Sequence, residues 1–227
     1  MLYIGLDDTD TLESRGTGHL ARQIAAALSA DCRVLGVTRH QLLVDPRVPY
    51  TKKNSCAAVL LDGGAPDPTA VLERVQALML EDFQPGSDPG LCVTAAVPPE
   101  IAAFGRRVQR EVVTQAEARA LAKQHGLPLL ALGGDCSGII GALAAVGLAA
   151  GGEDGRYVLV GRSRDLCGAQ PIPAVLAAGI DCVCTVDGQP VTEGVVEANK
   201  MRPARREGRA VLYVEREGDH WLPLKLD

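Results

Sequence analysis

The chain opens with a short apolar run, Leu2-Tyr3-Ile4-Gly5-Leu6, that stops at Asp7-Asp8-Thr9-Asp10. A run of this length bounded by polar residues reads as a buried strand. Thr17 to Ala30 follows as a helix, with Leu20, Ile24, Ala27 and Leu28 at i, i+4, i+7 and i+8 on one face. Arg33 to Val44 mixes β-branched and apolar residues and reads as a strand, broken by Pro46 and Pro49. Ser55 to Leu61 is the next strand. Pro66 and Pro68 introduce a second helix, with Val71, Leu72, Val75, Leu78 and Met79 along one side. Pro85 to Gly90 is a loop and Leu91 to Val97 a strand. The order β-α-β-β-α-β is that of the split βαβ, ferredoxin-like arrangement.

Pro99 to Gly126 is polar, Arg-rich and mostly helical in pattern. Leu127 to Leu132 reads as a strand, Gly133 to Gly138 as a turn, and Ile139 to Ala150 as an Ala-rich helix. Tyr157 to Gly161, Asp181 to Val186, Ala210 to Val214 and Trp221 to Leu226 read as further strands. The fold class is therefore α/β (α+β): a ferredoxin-like half over residues 1–97, then a second α/β subdomain over 98–227 that is either separate or packed with the first. The break that best suits a domain boundary is the glycine-rich stretch Gly151-Gly152-Glu153-Asp154-Gly155.

Composition narrows the class. The 227 residues are 47% hydrophobic and 22% charged, ordinary for a globular protein, but only 3% aromatic, so Ala, Val, Leu and Ile must build the core. The formal net charge of −5 excludes a generally basic nucleic-acid binder. Nucleic-acid contact would have to be local, at Lys52-Lys53, at Arg106, Arg107 and Arg110, or at Arg202, Arg205, Arg206 and Arg209, each of which has the alternative of a solvated surface. Seven cysteines, an odd number without a CxxC, argue against a disulfide framework or a zinc ribbon. Cys182 and Cys184 share one face of a strand by alternation, where core thiols are expected. With no signal peptide and no membrane-length apolar run, the expected compartment is the cytoplasm, with no membrane partner.

The candidate chemistry begins at the acidic loop. Three carboxylates within four residues, Asp7, Asp8 and Asp10, repel one another, so a merely solvated turn is an uneconomical use of them. Carboxylate oxygens suit Mg²⁺, which takes one or two of them together with substrate phosphates. The alternative is an acidic turn that caps the next helix. Arg15-Gly16-Thr17-Gly18 lies at the start of that helix, where backbone N–H groups favour an anion; Thr17 also suits a helix N-cap. Gly133-Gly134-Asp135-Cys136-Ser137-Gly138-Ile139-Ile140-Gly141 offers a second phosphate cradle, or a tight turn in which Gly138 and Gly141 permit close packing. Asp135 adds a carboxylate to the site or caps the helix. It is neither a Walker loop nor G-x-G-x-x-G. Arg39-His40 and Val48 to Ser55 flank a Pro-bent turn, whose Lys52 and Lys53 either offset phosphate charge or sit on an exposed loop. His19, His40, His125 and His220 show no metal-ligand spacing; His19 is near the acidic loop, and His220 belongs to the surface.

Three of these stretches together resemble the archaeal tRNA(Ile) 2-agmatinylcytidine synthetase family. Ile4-Gly5-Leu6-Asp7-Asp8-Thr9-Asp10 with Gly16-Thr17-Gly18-His19-Leu20-Ala21 resembles that family's opening. Val48-Pro49-Tyr50-Thr51-Lys52-Lys53-Asn54 is similar to its Pro-Trp-Lys-Thr-Arg-Gly-Asn loop, and Gly138-Ile139-Ile140-Gly141-Ala142 to its Gly-Ile-Ile-Gly-Ala run. Asn199 to Arg209 adds a further similarity. The resemblance implies ATP and Mg²⁺ as cofactors, with Asp7, Asp8 and Asp10 as metal ligands or catalytic carboxylates. It places the family's autophosphorylated threonine on Thr17. Thr9, Gly16, Gly18, Lys52, Lys53, Asn54, Gly138 and Gly141 become the expected nucleotide-binding positions.

The departures bear on the substrate. The family's OB-fold and zinc ribbon, which help hold tRNA, have no room in this length. Its Cys-Thr-Thr is Gly16-Thr17-Gly18 here, and its Gly-Asn-Gly-Ala is closest to Lys53-Asn54-Ser55-Cys56-Ala57. The expectation is an ATP- and Mg-dependent phosphotransferase or ligase-like enzyme of unnamed acceptor, with nucleotide and tRNA as the partners to test, as a homo-oligomer or beside a partner chain. The alternatives are a non-catalytic nucleotide- or RNA-binding relative, and a phosphatase resembling the haloacid dehalogenases. For the last, Asp8-Thr9-Asp10 has the spacing but lacks the Gly-Thr and the later acidic pair.

Overall fold

The computed structural model describes residues 1–64 and 67–226; Pro66, expected at a helix start, lies outside them. The elements of the first half are β1 (Leu2–Asp7), α1 (Thr17–Leu28), β2 (Val34–Gln41), β3 (Ser55–Leu61), α2 (Pro68–Glu81) and β4 (Gly90–Thr94). β1 pairs antiparallel with both β3 and β4, and β3 with β2, giving the strand order β4-β1-β3-β2 of the ferredoxin-like arrangement. The helices α3 (Pro99–Val108) and α4 (Gln115–Gln124) follow. β5 (Leu129–Ala131) then extends the sheet beside β4, and α5 (Gly138–Gly151) closes this unit.

Helix α5 explains why the chain divides where it does. It is apolar all round and buried along almost its whole length, as a helix enclosed on every side must be. It packs on β1, β3 and β4 and on α3. Glycines allow the close approach: a Cβ on Gly5 would overlap the Ala142 carbonyl, one on Gly90 the Gly138 backbone, and one on Gly147 the Ile101 carbonyl. The compact units are therefore residues 1–151 and 152–227, at the glycine-rich break and not at 97/98. The stretch after residue 97 supplies the helix that buries one face of the first sheet.

Several element ends differ from the sequence pattern for local reasons. The strand expected to reach Val97 stops at Thr94, whose hydroxyl folds back to donate to the Ala96 carbonyl and accept from its N–H. α1 buries Leu20, Ala21, Ile24, Ala25 and Leu28, so its inner face is centred on Ala21 and Ala25, with Ala27 half-buried at the side. Thr17 is the first helical residue and not the cap. Gly16 holds the cap position without a side-chain hydrogen bond, which leaves the Thr17 hydroxyl for the acidic loop.

The second unit contains β6 (Arg156–Leu159), β7 (Ala169–Pro171), α6 (Ile172–Ala177), β8 (Cys182–Cys184), β9 (Val195–Glu197), β10 (Ala204–Arg206), β11 (Arg209–Glu217) and β12 (His220–Pro223). β11 is its spine, pairing with β10 and β12 in antiparallel fashion and with β8 in parallel. The β10–β11 hairpin turns on Glu207 (φ 49°) and Gly208 (φ 73°), the two positive φ values of a type I′ turn. Cys182 and Cys184 share a face as expected, but it is not the core face. Val183 is buried between them, while both thiols are half-buried along a surface cleft with Tyr213 and Arg209.

Candidate functional site

The end of β1 delivers Asp7 and Asp8 to the mouth of a cleft of about 840 Å³ in the first unit. Gly5 and Asp7 lie on the sheet face that meets α5. A Cβ on Gly141 would overlap Asp7 Oδ2, so only glycine at that helix position leaves room for the carboxylate. Asp8 takes the left-handed conformation (φ 53°), which a short polar side chain tolerates better than most. Its Oδ2 accepts a hydrogen bond from Ser137 Oγ at 3.1 Å, across 129 residues of sequence.

The glycine turn is thereby joined to the acidic loop. Cys136 (φ 71°) is also left-handed, so two non-glycine residues, Asp8 and Cys136, hold that sparsely populated conformation in the joined segments, while Gly134 (φ 57°) takes it without strain. Asp88 braces the two segments. Its N–H donates to the Asp8 carbonyl at 3.1 Å, and its carboxylate accepts from the Asp135 N–H. Asp135 accepts from the Ser137 N–H at 2.8 Å and orders the turn before α5.

Asp10 is held differently. Its Oδ1 accepts from Thr17 Oγ at 3.1 Å and its Oδ2 from Thr51 Oγ at 3.1 Å. The Thr17 hydroxyl in turn accepts from the Thr9 hydroxyl at 3.1 Å. Thr9 and Thr17 are both buried, so the Thr9–Thr17–Asp10–Thr51 chain is a fixed polar seam from the acidic loop to the basic loop. Among the described residues, no three His, Cys, Asp or Glu side chains converge to hold a metal ion between them. The expected triad of Asp7, Asp8 and Asp10 is thus not a three-carboxylate cage, because Asp10 faces hydroxyls.

Electrostatics separate the carboxylates. Burial under α5, with Asp8 and Asp10 nearby, pushes the Asp7 carboxyl up to about 8, although a backbone hydrogen bond from Asp8 pulls the other way. Burial also pushes Asp8 up to about 6, opposed by the Ser137 hydrogen bond and reinforced by Asp88, Asp10 and Asp135.

Part of the lining is apolar, although Arg47 and Glu111 line the same cleft. Asn54 Nδ2 donates to the Leu43 carbonyl at 2.7 Å, and the Leu43 N–H donates to the Val108 carbonyl at 3.2 Å. These bonds tie the end of β2 to the end of α3 and bring Leu42, Leu43, Val108 and Val113 into the cleft. Tyr50 stands half exposed at its rim.

Of the expected nucleotide-binding residues, Lys53, Asn54 and Gly141 line this cleft with Asp7, Asp8, Asp10 and Thr17. Gly16, Gly18, Lys52 and Lys53 line an adjoining chamber. Thr9 is the buried end of the seam and lines neither cavity. Gly138 is a packing glycine, where a Cβ would overlap the Asp88 carbonyl and crowd the backbone of Gly90 and Asp7. His40 is buried within the sheet, its Nε2 2.9 Å from Thr38 Oγ. His19 stands between Arg15 and Arg22, outside both cavities; burial and those two guanidiniums lower its pKa. His220 is exposed, as expected. Of the other basic patches, Arg107 pairs with Glu111 and Glu117, and Arg205 is buried against Tyr157. Asp88 is a participant that the sequence did not single out, and Ser137 and Thr51 stood within the motifs without a role of their own. No helix among the described residues is long and apolar enough to cross a membrane.

No family profile matches the chain. It is 28% identical over 152 residues to the uncharacterized protein MJ0921 of Methanocaldococcus jannaschii, covering 65% of this chain and 50% of that protein. It is 29% identical over 154 residues to the tRNA 2-agmatinylcytidine synthetase TiaS of Pyrococcus horikoshii, covering 65% of this chain and 35% of that enzyme. The TiaS of Cenarchaeum symbiosum is 24% identical, covering 64% and 33%. A crystal structure of a tRNA fluorescent labeling enzyme superposes with a TM-score of 0.57 at 25% identity, over 64% of this chain and 35% of that one. A complex of TiaS with its tRNA and ATP superposes with a TM-score of 0.58 at 24% identity, over 64% and 36%, a likeness of fold. The chain is thus similar over 65% of its own length to a tRNA 2-agmatinylcytidine synthetase of which it matches only 35%, and it shares the mixed α/β fold of the solved synthetase structures.

Proposed function

We propose that the acidic cleft of the first unit binds ATP with Mg²⁺ and serves phosphoryl transfer. The observation that carries this reading is the convergence, on one cleft, of two carboxylates pushed up to about 8 and 6 with the hydroxyl seam and the basic loop. The donor set fits the metal, since Mg²⁺ takes one or two carboxylates and completes its shell with phosphates and water. Asp7 and Asp8 would hold it. A bound Mg²⁺ would neutralise phosphate charge and expose the terminal phosphorus to attack.

The chain's own groups supply the rest. Leu42, Leu43, Val108, Val112 and Val113 give apolar surface for a nucleobase. Lys53 reaches the same cleft and offsets phosphate charge. The Thr17 O–H donates to Asp10, the arrangement of a hydroxyl nucleophile with its base, which makes Thr17 the first hydroxyl placed to accept a phosphoryl group. The sequence likeness to tRNA 2-agmatinylcytidine synthetases supports a tRNA as the onward acceptor. The test is ADP release from Mg–ATP by the full chain, with and without bulk tRNA. Turnover that rises with tRNA and vanishes in Asp8→Asn supports the reading; no turnover and no label on Thr17 would sink it.

A further inference from the structure

β8 turns two thiols to one face of the second unit. Cys182 and Cys184 alternate with the buried Val183, and both line a cleft of about 710 Å³ whose residues all belong to that unit. In the parallel register of β8 with β11, Cys182 stands beside Val211 and Cys184 beside Tyr213, and those two residues line the same cleft.

The strand is held on both edges. β11 pairs along one. Along the other, the Val191 N–H donates to the Val183 carbonyl and the Thr185 N–H to the Gln189 carbonyl, each at 2.9 Å. Residues two apart on such a strand have Cα atoms roughly 6.6 Å apart, with side chains leaving in the same direction. A disulfide needs its Cβ atoms within about 4 Å, so joining these sulfurs directly would pull β8 out of the sheet. A cation held between two thiolates makes no such demand, because two metal–sulfur bonds of about 2.3 Å let the sulfurs stand up to roughly 4.6 Å apart.

The carboxylates around the thiols have other partners. Glu153 Oε1 accepts from the Glu207 N–H at 2.7 Å, and Glu207 Oε2 pairs with Arg209 at 2.9 Å. Among the described residues no third His, Cys, Asp or Glu converges with the two sulfurs, whereas a structural Zn²⁺ site takes four ligands. Two thiolates alone suit a soft ion of low coordination number. Burial, the neighbouring Cys182 and a hydrogen bond between the two thiols raise the Cys184 pKa, and Arg209 opposes them. A bound cation would displace both thiol protons to solvent. A monovalent ion would leave a single negative charge on the pair, with the Arg209 guanidinium close enough to offset it.

We infer that Cys182 and Cys184 form a two-coordinate site for a soft monovalent cation of the copper(I) class. The site lies wholly in the second unit and does not rest on the ATP reading of the acidic cleft.

Titration of the reduced full chain into copper(I) bicinchoninate under anaerobic conditions tests this. One copper(I) per chain is expected to pass from the indicator to the protein. The transfer should be lost in Cys182→Ser and in Cys184→Ser and kept in Cys167→Ser, which alters an exposed thiol. Thermal melts show whether each variant is folded. Mass mapping of N-ethylmaleimide labelling reads the same site in the wild type without any substitution. One equivalent of copper(I) should protect Cys182 and Cys184 together and leave Cys167 reactive. No transfer from the indicator, transfer retained in either folded single variant, or protection of Cys167 in place of the pair would overturn the inference. So would equal protection of the pair by one equivalent of Zn²⁺, the mark of a site with further ligands.

Discussion

Asp7 Oδ2 occupies the space that a Cβ on Gly141 would need, so the backbone of α5 and the carboxylate at the end of β1 interlock. Gly141→Ala should therefore force the two apart, at a cost of about 1–3 kcal/mol, the usual range for overpacking. It should also displace Asp7 and weaken binding of the Mg–nucleotide. Gly151→Ala, at a position where a Cβ meets nothing within 4 Å, is the control and should change stability by less than about 0.5 kcal/mol. Urea unfolding of both variants separates them.

The raised carboxyls fix a pH dependence. Asp7 and Asp8 ionise near 8 and 6 in the folded chain and near 3.8 when unfolded. Between those values the folded state holds more protons than the unfolded state, so metal-free stability falls as pH rises from about 4 towards 8. Asp45 and Glu117 are lowered to about 2, so their contribution is lost only on acidification below that window. Melting temperatures from pH 5 to 8.5 should decline in the wild type and flatten in Asp7→Asn. A profile that is level in the wild type counts against a buried Asp7 carboxyl.

Ser137 stabilises the ionised form of Asp8 through one hydrogen bond. Ser137→Ala removes about 1 kcal/mol of that support and leaves Asp8 harder to ionise. Mg–nucleotide affinity in the variant should lag the wild type most at pH 6 and least at pH 8. Titrations at the two pH values read this difference; an equal deficit at both would mean that Ser137 acts only on packing.

Thr17 is buried with its hydroxyl donating to Asp10. Thr17→Ser keeps that hydroxyl, and Thr17→Val keeps only the shape. Mass spectrometry after incubation with Mg–ATP should show a phosphoryl group on the wild type and on Thr17→Ser, and none on Thr17→Val.

The first half was legible because its strands are short apolar runs closed by turn residues and its helices are amphipathic. Ser55–Leu61 matches the pattern to the residue. The second unit was harder. β7, β9 and β10 have three residues each, too few to show alternation, and α6 spans fewer than two turns. The glycine-rich break near Gly151 stood out locally, but that α5 belongs with β1 did not, because no local window contains that contact. The acidic loop announced itself by charge density. Its supports did not: Ser137 and Thr51 meet it across 129 and 41 residues, and Asp88 lies in an ordinary Gly-Ser-Asp-Pro loop.

The central claim is that this cleft takes a nucleotide through its carboxylates. Isothermal titration of ATP into the full chain at pH 7.5, with and without Mg²⁺, tests it most directly. One-to-one binding that requires Mg²⁺ and weakens about tenfold or more in Asp8→Asn, the scale of one charged contact, is the predicted result. No heat in the wild type, or binding unchanged by Mg²⁺ and by Asp8→Asn, would contradict it.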